Sequence, residues 1–468
     1  MERWLGPALA YIPSWLDFQV RQSQQPGCLL AIVHRGKVVL EAASGTANLA
    51  TGQPLTPRHR FRIASHSKTF TAAGILKLRE QKKLRLDDEV GSYIPGLHKK
   101  AAQATLAQIL SHGAGLVRDG TDGGQFAGTR PFATAEQILE DLRNPPIIEA
   151  GSRLKYSNHG FSLLGMVIGA VTGESYNAWI EREIVQAAGL KETRPDMPLP
   201  RGTPFARGHS AVLPLGRRLV FPGNERTNAV ASAGGFVSTA ADTARFFNQL
   251  APGVARSVIS PASRREMVRP VWRNPHAALE SYYGLGTMSG TTGGWPWFGH
   301  GGALLGYISR TVTLPAQELT ISIFTNATDG WAGLWVDGAM AILRTFAQNG
   351  PPTRKVAGWT GRWWSVWGAF DLVPMGNKVL AASPGWVNPF FESSEITVTG
   401  RDTGTITQAA GYGAQGEPVR RERSPGGRVV EVRLGAGRAA PEARAIANMV
   451  RRFDPPKPKR RPTRRRSR

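Results

Sequence analysis

Strand-like patterns stand at both ends of the first three-quarters of the chain, and the run from about Tyr307 to Leu314 alternates between apolar and polar positions. "CLLAIV" and "KVVLEAA" flank His34-Arg35-Gly36 and predict a hairpin from Cys28 to Gly45. "YISRTVTLP" and "LTISIFTNA" predict a second pair of strands between positions 307 and 326. The segment between the two pairs shows mostly helical and loop patterns. A sheet built from both ends of this region is therefore expected.

Two apolar runs have the longer period of a helix. "FSLLGMVIGAVTG" predicts a buried helix, and "WAGLWVDGAMAILRTFAQ" at 331–348 carries apolar residues at helical spacing. The fold class expected is α/β (α+β), an antiparallel sheet flanked by helices, with a helical lobe inserted in the middle.

The pattern changes after "NGPPTRK", whose paired prolines break structure. Short alternating segments from Gly361 to about Leu434 predict strands of a small all-β, barrel-like domain. Its tryptophans Trp363, Trp364 and Trp367 are interpreted as barrel core, with a ligand-binding box as the alternative. The domains predicted are 1–350, 351–450 and a basic disordered tail at 451–468.

Charge adds one feature to this picture. The 468 residues hold 58 Lys and Arg against 34 Asp and Glu, a net charge of +24, of which "KPKRRPTRRRSR" at the end supplies eight. A proline-broken basic run cannot bury apolar surface, so a disordered solubilising tail is the favoured interpretation. Non-specific binding of nucleic acid or an anionic membrane surface is the alternative.

Composition argues against several other classes. A single cysteine, Cys28, cannot form an intramolecular disulfide and is expected to be a small core hydrophobe. The nine histidines lack metal-binding spacing, so no metal and no cofactor are predicted. Pro7 and Pro13 break the N-terminal segment, which makes a poor signal peptide, and no run of 18 apolar residues occurs. A cytoplasmic protein is expected, with export and oligomeric state left open.

Candidate chemistry begins with "FRIASHSKTF" at 61–70. In a helix that begins near Ala64, Ser65 and Lys68 share one face, because positions i and i+3 are neighbours. A serine hydroxyl needs a base within hydrogen-bond reach, and a lysine is a base only when burial or nearby positive charge lowers its pKa. The alternative is a polar helix start followed by a solvated lysine. The same spacing recurs at Ser152 and Lys155, so the spacing alone is weak evidence for a catalytic pair.

Two further motifs add to this pair. Tyr156-Ser157-Asn158 precedes the predicted buried helix, and it combines a hydroxyl that relays protons with an amide that orients a lysine or a substrate carbonyl. His300-Gly301-Gly302 introduces the strand at Tyr307, and its glycines allow a ligand to approach the backbone closely.

The ordered set of Ser-x-x-Lys, Tyr-x-Asn and His-Gly-Gly resembles the serine β-lactamase and penicillin-recognising hydrolase superfamily. The similarity is greatest to its class C and D-aminopeptidase-like branch, and it covers roughly residues 25 to 348. "TLAQILSHGAGL" and "SAGGFVSTAADTARFFNQL" resemble the same branch. The resemblance implies the same fold, with the three motifs in a cleft between two lobes.

The resemblance also implies roles for the motif residues. Ser65 would be the acylated nucleophile, Lys68 its proton acceptor, and Tyr156 a relay to the leaving group and the deacylating water. Asn158 would position Lys68 and the substrate, and the backbone N–H groups of Ser65 and Ala303 would form the oxyanion hole.

His300 departs from the family pattern, because β-lactamases carry a lysine of a K-T-G motif at this position. The departure puts β-lactam turnover in doubt and favours small esters or amides without an obligatory carboxylate.

Three functions follow as hypotheses. The first is a serine hydrolase that acts through an acyl-enzyme on a small ester, amide or peptide, similar to D-aminopeptidases and esterases. The second is a penicillin-binding protein or β-lactamase. The third is a non-catalytic scaffold that binds polyanions through its basic tail.

Overall fold

The computed structural model describes residues 2–454 apart from 214, 276, 278, 279 and 412. The predicted basic tail, from 455 onward, lies outside the described residues. Contacts divide the chain into two compact units, one of residues 20–339 and one that combines 1–19 with 340–468. The domain boundaries expected from the sequence stay a prediction.

The unit of residues 20–339 is built on one antiparallel sheet. Nine strands of the described residues form it. In spatial order they are Gln53–Pro54, Lys37–Asn48, Gly27–His34, Leu319–Thr325, Tyr307–Leu314, Trp295–Leu304, Met288–Thr292, Ser281–Tyr283 and Trp272–Arg273. The strands nearest the two ends of the unit therefore pair at the centre, as the alternation predicted.

The first hairpin follows the sequence closely. Arg35 and Gly36 have φ of 51° and 75°, the two left-handed residues of a tight hairpin turn. The eight residues of the Gly27–His34 strand are all buried, so both faces of this strand are covered as well as its two edges. Cys28 lies in this strand as a buried free thiol, as predicted.

The helix Ala240–Gln249 packs on the sheet, against the strands Gly27–His34 and Leu319–Thr325. Across the described residues the α-helices are Leu5–Gln22, Ser67–Glu80, Lys99–Ala102, Leu106–Leu110, Ala135–Leu142, Asn158–Thr172, Tyr176–Ile180, Ala231–Gly234, Ala240–Gln249, Pro261–Val268, Ala332–Asn349 and Glu442–Phe453. The helix predicted from "FSLLGMVIGAVTG" is Asn158–Thr172, with Ser157 as its N-cap and left-handed Gly173 at its end. In the described part of the chain, no helix is both long and apolar enough to cross a bilayer.

The N-terminal segment differs from the expectation. Leu5–Gln22 is one helix with Pro13 inside it, although the prolines predicted a break. Its apolar residues Leu5, Ala8, Ile12 and Trp15 recur at helical spacing and are all buried. Burial of that stripe outweighs the loss of one backbone hydrogen bond at the proline.

The other unit contains the predicted β-rich domain. Its eight described strands are Gly361–Ser365, Gly368–Met375, Lys378–Ala382, Ser394–Val398, Thr403–Gln408, Pro418–Arg423, Val429–Leu434 and Gly437–Ala439, in that spatial order. A backbone pair between Trp364 and Ala440 brings the two ends together, so the sheet nearly closes into a barrel.

The tryptophan cluster divides between the interior and the surface. Trp363 is 6% exposed within the barrel core, as expected. Trp367 is 95% exposed and does not belong to the core. The reason is its place in the turn between Ser365 and Gly368, where the alternation of the strand no longer applies.

Candidate active site

Ser65 lies in a short turn that connects a strand to a helix. The strand Phe61–Arg62 precedes a 3-10 turn over Ala64–His66, and the helix Ser67–Glu80, here called the serine helix, follows directly. Ala64 has a φ of 48°, a conformation that costs a non-glycine residue about 1–3 kcal/mol. Ser65 lines a cleft of its unit, and the backbone N–H groups of a first helical turn lack partners within the helix.

Lys68 Nζ is surrounded by three oxygen atoms. It lies 2.7 Å from Asn158 Oδ1, 2.7 Å from the carbonyl oxygen of Ala233 and 3.2 Å from Ser65 Oγ. Two of these atoms only accept hydrogen bonds, so they take two of the hydrogens on Nζ. The third tetrahedral position of Nζ points at Ser65, where either a hydrogen or the lone pair of a neutral amine can lie.

The surroundings of Lys68 favour the neutral amine. The side chain is fully buried, and this burial lowers its pKa well below the ordinary value of a lysine. Asp119 opposes the shift, and Arg118 adds to it. The sequence predicted the spacing of Ser65 and Lys68, and the burial that makes the lysine a base comes from packing.

Tyr156 also contacts the Ser65 hydroxyl. Its hydroxyl donates a hydrogen bond of 2.9 Å to Ser65 Oγ, and burial raises the pKa of the phenol. The ring packs against His112 with centroids 4.0 Å apart and the ring planes tilted by 38°, and His112 Nδ1 accepts a hydrogen bond from the Ser157 backbone N–H. His112 therefore holds the Tyr-Ser-Asn segment in place. It belongs to the stretch "TLAQILSHGAGL", whose resemblance to the family was its only signal in the sequence.

Asn158 is fixed by a residue that the sequence did not reveal. While Oδ1 accepts from Lys68, Nδ2 donates a 2.6 Å hydrogen bond to Asp119 Oδ1. This contact sets the orientation of the amide, so that its oxygen faces Lys68. Asp119 stands in a loop with no recognisable spacing to the motifs, so only the folded structure brings it to the site.

His300-Gly301-Gly302 lies within a strand of its own, Trp295–Leu304, here called the glycine strand. The sequence predicts that the motif introduces the strand at Tyr307, and this prediction is wrong, because the motif lies inside the preceding strand. Three glycines and a proline give the segment little intrinsic preference for a strand, and pairing with strands on both sides decides its conformation.

The two glycines of the motif differ in their surroundings. A Cβ added to Gly302 would lie 2.2 Å from the carbonyl oxygen of Ile63 and 2.5 Å from Ser309 Oγ. A Cβ added to Gly301 would be no closer than 3.6 Å to any atom. Gly302 is therefore needed because the glycine strand packs against the turn that carries Ser65, whereas the sequence predicts a role in ligand approach for both glycines.

Ala303 presents its backbone to the cleft. Leu304 and Tyr307 flank a two-residue turn and so form the closing hydrogen-bonded pair of a hairpin. Because pairs alternate along an antiparallel ladder, the N–H of Ala303 points to the other edge of the glycine strand. In the described residues, the neighbouring strand Met288–Thr292 pairs with that edge only as far as Gly299. The N–H of Ala303 thus faces the cleft, where the oxyanion hole was predicted.

His300 lines the cleft as a neutral ring with both nitrogens engaged. Nδ1 lies 2.6 Å from the carbonyl oxygen of Gly301, so it carries the hydrogen, and Nε2 lies 3.0 Å from Tyr283 Oη. Burial lowers the pKa of His300 well below its ordinary value. The ring supplies no positive charge at neutral pH.

The alternative serines lie in different settings. Ser152 is exposed, and its hydroxyl donates to the carbonyl oxygen of Glu149 within a turn. Ser67 is buried, donates to the carbonyl oxygen of Ala64 and accepts from the N–H of Phe236. Of the two Ser-x-x-Lys pairs, the geometry favours Ser65 and Lys68.

The cleft has a volume of about 810 Å³. Residues from all three motifs line it, together with charged and apolar side chains: Ser65, Tyr156, Asn158, His300, Gly301, Gly302, Ala303, Arg118, Asp119, Phe126 and Arg310. Within the described ranges, no group of three or more His, Cys, Asp or Glu side chains is placed to hold a metal ion. The arrangement supplies a hydroxyl, a buried amine, a phenol and backbone donors around one point, which suits nucleophilic acyl transfer.

Comparisons with known proteins agree with this geometry. Residues 14–337 match the family model described as Beta-lactamase. Protein flp of Staphylococcus aureus (strain N315) is 28% identical over 190 residues, which cover 38% of this chain and 37% of that protein. The chain therefore spans little more than a third of the length of that curated relative.

Two solved structures share the fold. The octameric penicillin-binding protein homologue from Pyrococcus abyssi superposes with a TM-score of 0.65 at 20% identity, over 92% of this chain and 99% of that one. D-amino acid amidase from Ochrobactrum anthropi SV3, complexed with L-phenylalanine, superposes with a TM-score of 0.62 at 25% identity, over 72% of this chain and 99% of that one.

Proposed function

The chain belongs to the Beta-lactamase family, and from this premise we propose that it is a serine hydrolase in which Ser65 forms an acyl-enzyme with small amides or esters. The observation that carries the proposal is the buried Lys68 amine, held by Asn158 and Ala233 with its third position toward Ser65 Oγ. A solvated lysine at a helix start would have none of these contacts.

Acylation begins with proton transfer from Ser65 to Lys68. The neutral amine accepts the hydroxyl proton as Oγ attacks the substrate carbonyl carbon, and the carbonyl oxygen becomes an oxyanion. The N–H groups of Ser65 and Ala303 stabilise that charge, and one such donor is typically worth about 100- to 1,000-fold in rate.

Tyr156 completes the proton path to the leaving group. Its raised pKa keeps the phenol protonated. The phenol can therefore donate a proton to the leaving group, which is an amine nitrogen for an amide and an alkoxide oxygen for an ester, as the bond to the carbonyl carbon breaks. The Lys68 ammonium returns a proton to the phenolate, and the net transfer is from Ser65 to the leaving group. Water then attacks the carbonyl carbon of the acyl-enzyme and loses a proton to Lys68 and Tyr156. The bond to Ser65 Oγ breaks, and the returned proton regenerates the Ser65 hydroxyl.

The neutral His300 bears on the substrate class. A lysine here would offer a permanent charge to a carboxylate, whereas His300 only exchanges hydrogen bonds with its protein partners. The shared fold of D-amino acid amidase supports amino-acid amides as one class to test, with neutral esters as the other. β-Lactams would act at most as slow acylating inhibitors.

A hydrolysis screen tests this proposal. The substrates are p-nitrophenyl esters, D- and L-amino-acid amides and a chromogenic cephalosporin, assayed with the unaltered protein, Ser65→Ala and Ser152→Ala. We expect turnover of an ester or amide that Ser65→Ala abolishes and Ser152→Ala preserves. Turnover of the cephalosporin alone would instead assign the protein as a β-lactamase, and no turnover or covalent labelling by any reagent would favour the scaffold hypothesis.

A further inference from the structure

A second cavity, of about 740 Å³, lies in the same unit as the catalytic cleft. It is here called the arginine cavity, and its wall includes Arg62, Gln125, Arg130, Phe132, Phe221 and Arg226. Leu304 and Leu305 line both spaces, so the arginine cavity adjoins the cleft. Arg62 precedes Ser65 by three residues, which places their Cα atoms at most about 11 Å apart.

Arg62 brings a buried charge with an unused hydrogen-bond donor to this cavity. The residue is 1% exposed, and its Nε donates a 2.8 Å hydrogen bond to the carbonyl oxygen of Gly223. Nη2 donates to the carbonyl oxygen of Glu225, and Nη1 has no hydrogen-bond partner among the described residues. Gly223 and Glu225 both line the cavity, so the guanidinium lies against its wall. Arginine stays protonated in proteins, which leaves a donor of a charged group free.

Gln125 adds a second unused donor on another part of the wall. The residue is 3% exposed, and its Oε1 accepts a 2.8 Å hydrogen bond from the N–H of Ala133. This contact sets the orientation of the amide, and Nε2 has no partner in the part of the chain that the structure describes. Buried polar groups in proteins are nearly always hydrogen-bonded. Two unused donors on the wall of one cavity therefore indicate a ligand that supplies acceptor oxygens.

The rest of the wall combines positive charge with apolar surface. Arg130 pairs with Asp122 at 3.3 Å, whereas Arg226 is exposed and forms no ion pair within the described residues. Of the described residues that line the cavity, Glu225 supplies the one carboxylate against three arginines. Apolar side chains complete the wall: Pro131, Phe132, Phe221, Pro222, Leu304 and Leu305.

We propose that the arginine cavity binds an organic carboxylate with an apolar body. A carboxylate has two acceptor oxygens for the unused donors of Arg62 and Gln125, and its charge balances the excess of arginine. The apolar wall suits a hydrocarbon chain or ring. A cavity of this size is typical of sites for small organic molecules and is much larger than a bare ion needs.

Calorimetric titration with 4-phenylbutyrate tests the site without reference to hydrolysis. Its neutral counterpart, 4-phenyl-1-butanol, has the same ring and chain length but no carboxylate. We expect the carboxylate to bind the unaltered protein about tenfold or more tightly than the alcohol, because hydrogen bonds between charged groups are the stronger ones. Equal affinity for the two compounds would overturn the proposal.

Gln125→Glu is the variant that addresses the cavity most directly. It keeps the side-chain size and the acceptor for the Ala133 N–H, and it replaces the unused donor by negative charge. The affinity for 4-phenylbutyrate should fall by about tenfold or more, while that for 4-phenyl-1-butanol should change little. Gln108→Glu is the matched control, because its Oε1 also accepts a backbone N–H, that of Thr105, and Gln108 does not line the cavity. It should bind both compounds as the unaltered protein does.

Two arginine variants separate the cavity from the catalytic cleft. Arg226→Gln removes an exposed charge of the cavity wall, so it should fold and should weaken 4-phenylbutyrate binding. Arg310 lines the cleft and not the cavity, so Arg310→Gln should leave that binding unchanged. Thermal melting checks that each variant folds. Binding that is lost only in Arg310→Gln would place the carboxylate in the cleft and overturn the proposal, as would binding that Gln125→Glu and Arg226→Gln both leave unchanged.

A pair of p-nitrophenyl esters shows which molecule carries the carboxylate, and this part rests on the proposed hydrolysis. The heptanoate ester and the monoester of heptanedioic acid differ only at the far end of the acyl group, where a carboxylate replaces a methyl group. A higher kcat/KM for the monoester, lost in Gln125→Glu, would assign the carboxylate to the substrate. Equal kcat/KM values, with 4-phenylbutyrate binding intact, would assign it to a separate ligand. Absence of turnover with both esters would count against the hydrolysis and leave the calorimetric result standing.

Discussion

Replacement of Gly302 by alanine tests how closely the glycine strand must approach Ser65. The added Cβ would lie 2.2 Å from the Ile63 carbonyl oxygen, where ordinary contacts begin near 3.4 Å. The strand and the turn must therefore separate by about 1 Å, because the Ile63 carbonyl oxygen belongs to the backbone and cannot rotate away as a side-chain atom could. Overpacking of this kind typically costs about 1–3 kcal/mol of stability.

The larger effect should be on catalysis. Ile63 is two residues before Ser65, and Ala303 directly follows Gly302, so the separation moves the nucleophile away from the oxyanion donor. A misplacement of about 1 Å in a catalytic site costs about 100-fold in rate. We expect kcat/KM to fall by about that factor in Gly302→Ala while the protein remains folded.

Gly301→Ala is the matched control. Its Cβ would meet only ordinary contacts of 3.6 Å or more, on the same strand and one residue away. Steady-state kinetics and thermal melting of the two variants, on the best substrate from the screen, give the comparison. Equal kcat/KM for Gly301→Ala and Gly302→Ala would refute the claim that this close approach aligns the site.

Three further predictions concern charged groups. Asp119→Asn removes the charge that raises the pKa of Lys68. Since the neutral amine is the active form, the acidic limb of the pH–kcat/KM profile should move to lower pH. An unchanged limb would argue against Lys68 as the base. His300→Lys should also shift the acidic limb, and it should raise activity on carboxylate-bearing substrates relative to neutral ones. Assays of one substrate of each kind measure the ratio, and thermal melting checks that the variant folds. Deletion of residues 457–468 should leave kcat on soluble substrates unchanged, and a large fall would show that the tail reaches the cleft.

The elements with strong periodicity could be predicted from the sequence. The first hairpin, the strands at 307–325 and the helix Asn158–Thr172 each carry an uninterrupted pattern with recognisable turn or cap residues. The glycine strand carries none, because contacts across the sheet decide its conformation. The predictions made from Pro13 and Trp367 were wrong for a similar reason. Packing of the apolar side chains keeps the helix intact at Pro13, and a turn takes Trp367 out of the strand alternation.

The candidate site shows the same division. Ser65 and Lys68 share a face through helical spacing alone, so the pair could be predicted. The prediction of Tyr156 and Asn158 depended on resemblance to a family, since no local sequence pattern indicates which loop contacts the serine helix. Asp119 and His112 were missed because their contacts join segments that are distant in sequence, and those contacts exist only in the folded chain.

Covalent trapping at Ser65 tests the central claim most directly. The unaltered protein is treated with a fluorophosphonate probe, and the modified peptide is identified by mass spectrometry, with Ser65→Ala and Ser152→Ala treated in parallel. The proposed mechanism predicts one adduct on Ser65, no adduct in Ser65→Ala and full labelling of Ser152→Ala. Undiminished labelling of Ser65→Ala, or an adduct mapped to another serine, would contradict it.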